Sequence, residues 1–210
     1  MVKNILFDLG NVLIDIDTDK TLRMFSQLVE RNPQSTIHHA SQDVHISAGD
    51  LIGKGESELM AKYQIGEIST DEFIDAILTI CKPGTARQQV IDAWMAMLIG
   101  IPQERYKRVV ELHKQGYKLY VLSNINEMHA GWTREQIKGL PFEQVFFSNE
   151  MRMAKPDVRC YEQVIRETGI NAAETLYIDD IPTNIEAAKS LGFECFLNTK
   201  ADEWATMCDV

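Results

Sequence analysis

Apolar residues in this chain fall into two kinds of pattern. Short unbroken runs lie at 4–9 (NILFDL), 118–123 (KLYVLS), 144–148 (QVFFS) and 175–180 (TLYIDD), with a fifth at 194–198 (ECFLN) after Gly192. They lack period-2 alternation, which suits strands of a parallel sheet covered on both faces. Between them, helical stretches at 102–116, 155–169 and 182–192 each carry a proline at their first or second residue and close on a glycine. These pairs, Pro102/Gly116, Pro156/Gly169 and Pro182/Gly192, are start and stop signals. Alternating strands and helices predict an α/β fold, a Rossmann-like doubly wound parallel sheet.

Residues 18–99 follow the second pattern and read as helices only. Leu22, Phe25, Leu28 and Val29 share one helical face; Val90, Ile91, Trp94, Met97 and Leu98 form another stripe. Ser69 and Glu72 make a capping-box pair ahead of FIDAILTIC. These Met and Trp stripes read as core packing. A helical block between the first strand and the rest of a sheet predicts an inserted all-helical subdomain. The expected division is 1–15 with 100–210 for the α/β core and 16–99 for the insertion.

In such sheets ligands bind beyond the carboxyl ends of the strands. The first strand delivers Asp8 there, and the second delivers Ser123 and Asn124. The segment after the third delivers Lys155, and the fourth delivers Asp179 and Asp180. Each is ordinary alone: acidic strand ends are turn formers or caps, and a lone lysine is usually solvated. Adjacent Asp179 and Asp180 repel each other and call for a positive neighbour, such as a helix N-terminus, Lys155 or a metal. Their occurrence in order at successive strand ends points to one cleft.

Composition narrows the partners. The 210 residues carry a net charge of −10, which excludes a nucleic-acid phosphate backbone and an anionic membrane surface as partners. A phosphorylated small molecule remains compatible, because local donors or one metal ion reverse the local field. No signal peptide and no membrane-spanning run is read, and the expected location is cytoplasmic. Cys81, Cys160, Cys195 and Cys208 show no CxxC spacing and read as idle thiols of a reducing cytosol. The expected assembly is a monomer or weak homodimer.

Across its whole length the chain resembles the haloacid dehalogenase superfamily. The likeness rests on four stretches: FDLGNVLID, VLSN, AKPD and YIDDIPTNIEAA. Among its members the nearest likeness is to small phosphatases whose first motif also reads DLGNV, including those acting on glucose 1-phosphate. The resemblance implies a helical cap at the insertion and a phosphatase acting on a small phosphorylated metabolite, with a sugar phosphate favoured. It implies that Asp8 attacks phosphorus and forms an aspartyl-phosphate. It further implies Mg²⁺ held by Asp8, the Gly10 carbonyl and Asp180, with Asp179 binding directly or through water. Ser123 and the Asn124 amide would hold phosphate oxygens, Lys155 would bridge phosphate and nucleophile, and Asn184 would support the metal loop.

The family's phosphatases carry a second aspartate two residues after the first, serving as acid and base. This chain has Gly10. Such proton transfer contributes about 10²- to 10⁴-fold in rate. The alternatives are a phosphatase for good leaving groups, a dehalogenase-type hydrolase, and a regulatory or binding protein on this fold. Asp15, Asp17 and His45 are candidate substitutes for the missing acid. Lys54, Glu56 and Glu67 lie in polar cap stretches and read as solvated connections.

Overall fold

The computed structural model describes residues 1–29, 37–39, 42–44, 58–200 and 202–206. His45, Lys54, Glu56 and Cys208 lie outside them. In chain order the elements are β1 (Asn4–Phe7), β2 (Asp15–Ile16), α1 (Thr18–Leu28), β3 (Ile37–His39), β4 (Gln42–Val44), α2 (Glu58–Gln64), α3 (Thr70–Leu78) and α4 (Arg87–Met95). They continue with β5 (Leu98–Gly100), α5 (Gln103–Lys114), β6 (Lys118–Ser123), α6 (Glu127–Gln136), β7 (Phe142–Phe147), α7 (Ser148–Met151) and α8 (Val158–Thr168). β8 (Thr175–Asp179), α9 (Pro182–Ser190) and β9 (Glu194–Leu197) complete the body.

The five predicted strands form one parallel sheet in the order β7-β6-β1-β8-β9. β1 is central, so its end meets those of β6 and β8. The Asp8 N–H donates to Ile178 O at 2.9 Å, which carries the β8 pairing one residue past β1.

Alternate residues of each strand serve opposite faces. Ile5, Phe7, Val121 and Ile178 join Val109, Leu112, Ala130 and Trp204 in one apolar cluster. Leu6, Tyr120, Leu122 and Tyr177 join Cys160, Tyr161, Val164, Ile185 and Ala188 in another. Each large apolar side chain fully buried in this way contributes about 1.5–3 kcal/mol. A third cluster lies apart from the sheet, where Phe25, Tyr63, Phe73, Ile77, Val90 and Trp94 unite α1, α2, α3 and α4.

Local signals differ from the sequence reading in three places and agree with it in one. Pro156 does not open α8; Asp157 does, accepting from Arg159 N. The capping box forms as read, with the Ser69 hydroxyl accepting from Glu72 N and the Glu72 carboxylate accepting from Ser69 N. The apolar stripe beginning at Val90 is helical only to Met95, and Leu98 belongs to β5. Residues 18–99 are therefore not helices only: β5 starts there and pairs antiparallel with β2, and β3 pairs antiparallel with β4.

Two strands of chain, near 15–17 and 96–100, join the helical layer to the body. The layer also meets α6 directly. The Tyr63 hydroxyl accepts from Met128 N at 3.2 Å, and the Trp94 ring stacks on His129 with centroids 5.3 Å apart. Among the described residues no helix is long and apolar enough to cross a membrane.

Candidate active site

The loop after β1 is a tight turn. Leu9 O accepts from the N–H groups of Val12, Leu13 and Ile14. The left-handed residue in it is Asn11, at φ 56°, not Gly10. Asparagine tolerates that conformation because its short polar side chain bonds locally. Here the Asn11 amide donates to Asp180 Oδ2 at 3.0 Å, tying the first loop to the acidic pair. The far side of the loop is pinned by the Asn198 amide donating to Asn11 O and by the Trp204 indole donating to Val12 O, both at 2.9 Å. Gly10 is free of backbone necessity: a Cβ placed on it would meet only Ile16 Cδ1, at 3.4 Å.

Lys155 crosses beneath this loop. Its ammonium donates to Asp8 Oδ1 at 2.8 Å, to Asp179 Oδ2 at 2.7 Å and to Leu122 O at 2.9 Å. It is 5% exposed, Asp8 is 7% and Asp179 is 0%. Burial alone would lower the lysine pKa, but the two carboxylates overcome it and hold the ammonium charged. Burial pushes the Asp8 carboxyl up to about 6, against the pull of Lys155. Burial likewise raises Asp180, opposed by the Asn11 hydrogen bond.

One oxygen from each of Asp8, Asp179 and Asp180 lies within 4.8 Å of the others. Three carboxylates against a single ammonium leave a local deficit of positive charge. That set of hard oxygen donors fits a divalent cation of the Mg²⁺ kind.

The three carboxylates are not equivalent. Asp179 accepts from Lys155, from Tyr177 OH, from Ile181 N at 2.7 Å, and at both oxygens from the Asn184 amide at 3.1 Å. Its oxygens are filled. Asp8 Oδ2 has no protein donor among the described residues, and the Gly10 carbonyl accepts no backbone hydrogen bond there.

Ser123 closes the site from β6. It is buried, and its hydroxyl has no hydrogen bond to the described residues. The Asn124 side chain is engaged by the protein. Its Nδ2 donates to Lys155 O and its Oδ1 accepts from Lys155 N, both at 2.8 Å. Only its backbone amide remains for a ligand.

Of the candidates for the missing acid, His45 lies outside the described residues, and the other two are engaged by the protein. Asp15 bonds the buried Arg105 at 2.8 Å, and Asp17 caps α1 by accepting from Lys20 N at 3.0 Å. Glu67 is exposed. Burial pushes Cys160 and Cys195 up to about 11, so these thiols stay protonated at neutral pH.

The sequence reading missed Asn11, Tyr177, Asn198 and Trp204. Asn11 stood in the quoted first motif, and its residue type was the available signal. Tyr177 likewise stood in the fourth motif, two residues before Asp179, whereas Asn198 and Trp204 act across long sequence separations and left no signal.

A cavity of about 260 Å³ opens from Gly10 and Ser123 toward the helical layer. Its walls come from the loop after β1, the end of β6, α6, α2 and the end of α4.

A strand-end carboxylate, a buried lysine bridging it to an acidic pair, and a helical layer across the opening define a hydrolase site. The chain belongs to the haloacid dehalogenase-like hydrolases, whose family model matches residues 2–192. It is 26% identical over 211 residues to the D-ribitol-5-phosphate phosphatase of Bacteroides thetaiotaomicron, covering 97% of this chain and 95% of that one. It is 30% identical over 162 residues to the sesquiterpene phosphatase astK of Aspergillus oryzae, covering 71% of this chain and 77% of that one. A haloacid dehalogenase family enzyme of Bacteroides thetaiotaomicron, crystallised with magnesium and inorganic phosphate, matches with a TM-score of 0.80 at 27% identity. That match covers 97% of this chain and 96% of the other.

Proposed function

We propose that the protein is a Mg²⁺-dependent phosphatase that hydrolyses a small phosphomonoester through an aspartyl-phosphate on Asp8. The observation that carries this reading is the convergence of Asp8, Asp179 and Asp180 within 4.8 Å around the Lys155 ammonium. Asp8 Oδ2, free of protein donors, attacks phosphorus and the bond to the leaving oxygen breaks. Water then attacks the same phosphorus, releasing inorganic phosphate and restoring the carboxylate. Lys155 fixes Asp8 through Oδ1 and supplies positive charge beside the transferring group. The Ser123 hydroxyl and the backbone amide of Asn124 hold phosphate oxygens.

Mg²⁺ would be held by Asp8, the Gly10 carbonyl and Asp180, and would neutralise charge between carboxylate and phosphate. Asp179, saturated by protein donors, positions Lys155 rather than meeting the ion directly. Asn184 orients Asp179. Residues 16–99 act as a cap over the cleft, on a body made of 1–15 and 100–210. The described cysteines are all free, which supports a reducing compartment.

No side chain at position 10 protonates the leaving oxygen, so the reaction favours leaving groups that depart without help. Displacement of a halide by Asp8 would need no cation, and it leaves the acidic pair unexplained. The ribitol-phosphate relative supports a sugar or polyol phosphate as substrate; the sesquiterpene relative supports an isoprenoid one.

The test is phosphate release from p-nitrophenyl phosphate with and without chelator, Mg²⁺ add-back, and Asp8→Asn as the blank. Loss with chelator, recovery with Mg²⁺ and no turnover in the variant are expected. Turnover that survives the chelator, or survives in Asp8→Asn, overturns the reading.

A further inference from the structure

The cavity that begins at Gly10 and Ser123 is where a leaving group must lie if the phosphate sits beside Asp8. Its walls are chiefly hydrocarbon and aromatic: Ile14, Ile16, Met60, Trp94, Met97 and Leu98 line it from the hinge strands and the helical layer.

The polar side chains in the same walls are largely spent on the protein. The Tyr63 hydroxyl is bonded to Thr70 Oγ1 at 2.9 Å and to Met128 N. The His129 ring uses Nε2 on Trp94 O at 3.1 Å and Nδ1 on the Asn126 amide at 3.2 Å. Asn126 Oδ1 accepts from His129 N and from the Trp94 indole. The Asn124 amide is closed on the Lys155 backbone. Thr18 is exposed and Gln64 half-buried at the edge of the space. Apart from the Ser123 hydroxyl at the phosphate end, the buried side-chain polar atom in these walls without a partner among the described residues is Thr133 Oγ1.

A polyol carries a hydroxyl on nearly every carbon. Placed here, most of those hydroxyls would lose water without gaining a partner, and each unpaired buried polar group is penalised. A hydrocarbon gains from the same burial in proportion to its area.

Resting on the phosphatase reading, we infer that the substrate is a phosphomonoester with a compact apolar leaving group. At about 260 Å³ the space falls below the roughly 300–1,000 Å³ of sites for drug-sized ligands, so the group is the size of an aromatic ring or a short branched chain. A phenolic ester meets both constraints at once: it fills an apolar wall, and its oxygen leaves without the acid that Gly10 lacks.

The decisive comparison separates burial from leaving-group acidity. Hexyl phosphate and ribitol 5-phosphate both release a primary alcohol, and the neighbouring hydroxyl makes the polyol the better leaving group, so acidity works against the expected result. The expected result is a kcat/KM at least about tenfold higher for hexyl phosphate, carried mainly by KM, the gain from burying roughly two methylenes. Met97→Gln should move the ratio toward the polyol ester, whereas a merely structural role for Met97 would lower both esters together. Calorimetric titration of the wild-type protein with hexylphosphonate and methylphosphonate, in Mg²⁺, gives a readout independent of turnover. If no ester is hydrolysed above the Asp8→Asn blank but hexylphosphonate binds about tenfold tighter, the phosphatase reading fails and the apolar compartment stands. Equal binding of the two phosphonates, or a ribitol 5-phosphate kcat/KM equal to or above that of hexyl phosphate, overturns the inference.

Discussion

Asn124 and Lys155 hold each other by two reciprocal hydrogen bonds of 2.8 Å, from side-chain amide to backbone carbonyl and from backbone N–H to side-chain oxygen. The pair locks the segment before α8 onto the end of β6, and so aims the buried ammonium at Asp8 and Asp179. Asn124→Ala removes both bonds and leaves two buried backbone groups unpaired. The expected outcome is a loss of about 1–3 kcal/mol in stability. A fall of about 10- to 100-fold in kcat, with a smaller change in KM, should accompany it, as for other residues that orient a catalytic group. Asn124→Asp keeps the acceptor for Lys155 N and should fall between. Urea unfolding and steady-state kinetics measure both effects. A wild-type kcat in the alanine variant would mean that Asp8, Asp179 and Leu122 O suffice to hold the lysine.

Much of this site was legible because it is written in strand ends. Parallel strands deliver their last residues to one edge, so Asp8, Ser123, Lys155, Asp179 and Asp180 could be grouped from order alone. Side-chain direction could not be read that way. Asn124 follows Ser123 on the same strand end, yet its amide turns to the backbone of Lys155. Asp15 and Asp17 sit near Asp8 in sequence, but Arg105 and the α1 N-terminus take them. The left-handed turn after Asp8 falls on Asn11 rather than on the neighbouring Gly10. The short pairing of β2 with β5 was hidden because two- and three-residue strands leave no periodic trace. The apolar cavity was illegible for a different reason: its walls come from four separated segments, and each reads locally as ordinary core.

Gly10→Asp tests the missing acid directly. A Cβ there meets only the flexible end of Ile16, and the backbone does not demand glycine, so the variant should fold with little loss. If position 10 is where the leaving oxygen lacks its proton, hydrolysis of hexyl phosphate should rise by about tenfold or more, within the 10²- to 10⁴-fold range of acid–base catalysis. p-Nitrophenyl phosphate, whose leaving group needs no proton, should change little. The ratio of the two kcat values is the measurement. An unchanged ratio would mean that another group already supplies the proton.

Metal binding is readable apart from turnover. An ion that binds only the folded protein stabilises it by about 2.7 kcal/mol at a hundredfold excess over Kd. Mg²⁺ should therefore raise Tm in wild type, and a chelator should reverse the rise. Asp180→Ala should abolish both the Tm shift and the metal-dependent turnover while leaving the Lys155 contacts to Asp8 and Asp179 intact. Lys155→Met should instead destabilise the protein by about 3–5 kcal/mol, since it strands two buried carboxylates. Its Mg²⁺-induced Tm shift should exceed that of wild type, because the ion becomes the main local positive charge. Differential scanning calorimetry of the three proteins checks this, and an Mg²⁺ shift retained in Asp180→Ala would remove Asp180 from the ligand set.

His129 gives the body and the helical layer a pH-dependent contact. Its ring is buried against Trp94, and burial lowers its pKa to about 4 from 6.5, opposed by the hydrogen bond to Trp94 O. With Nε2 donating to that carbonyl and Nδ1 accepting from the Asn126 amide, the neutral ring is satisfied on both sides; a second ring proton would face a donor. The unfolded chain binds a proton near pH 6.5 and the folded chain only near 4, so the unfolded state holds more protons between these values. Stability from this residue is therefore complete above pH 6.5 and is lost as pH falls toward 4. The loss at pH 5 is about 2 kcal/mol and approaches about 3 at pH 4, from 1.36 kcal/mol per pKa unit. His129→Gln should lower stability at pH 7.5 but flatten this part of the pH profile. Because carboxylates titrate in the same range in both proteins, the quantity to measure is the difference between their urea-unfolding free energies at pH 7.5 and pH 5.0. A difference independent of pH would show that His129 takes up its proton alike in the folded and unfolded chain, and that burial against Trp94 does not hold the ring neutral.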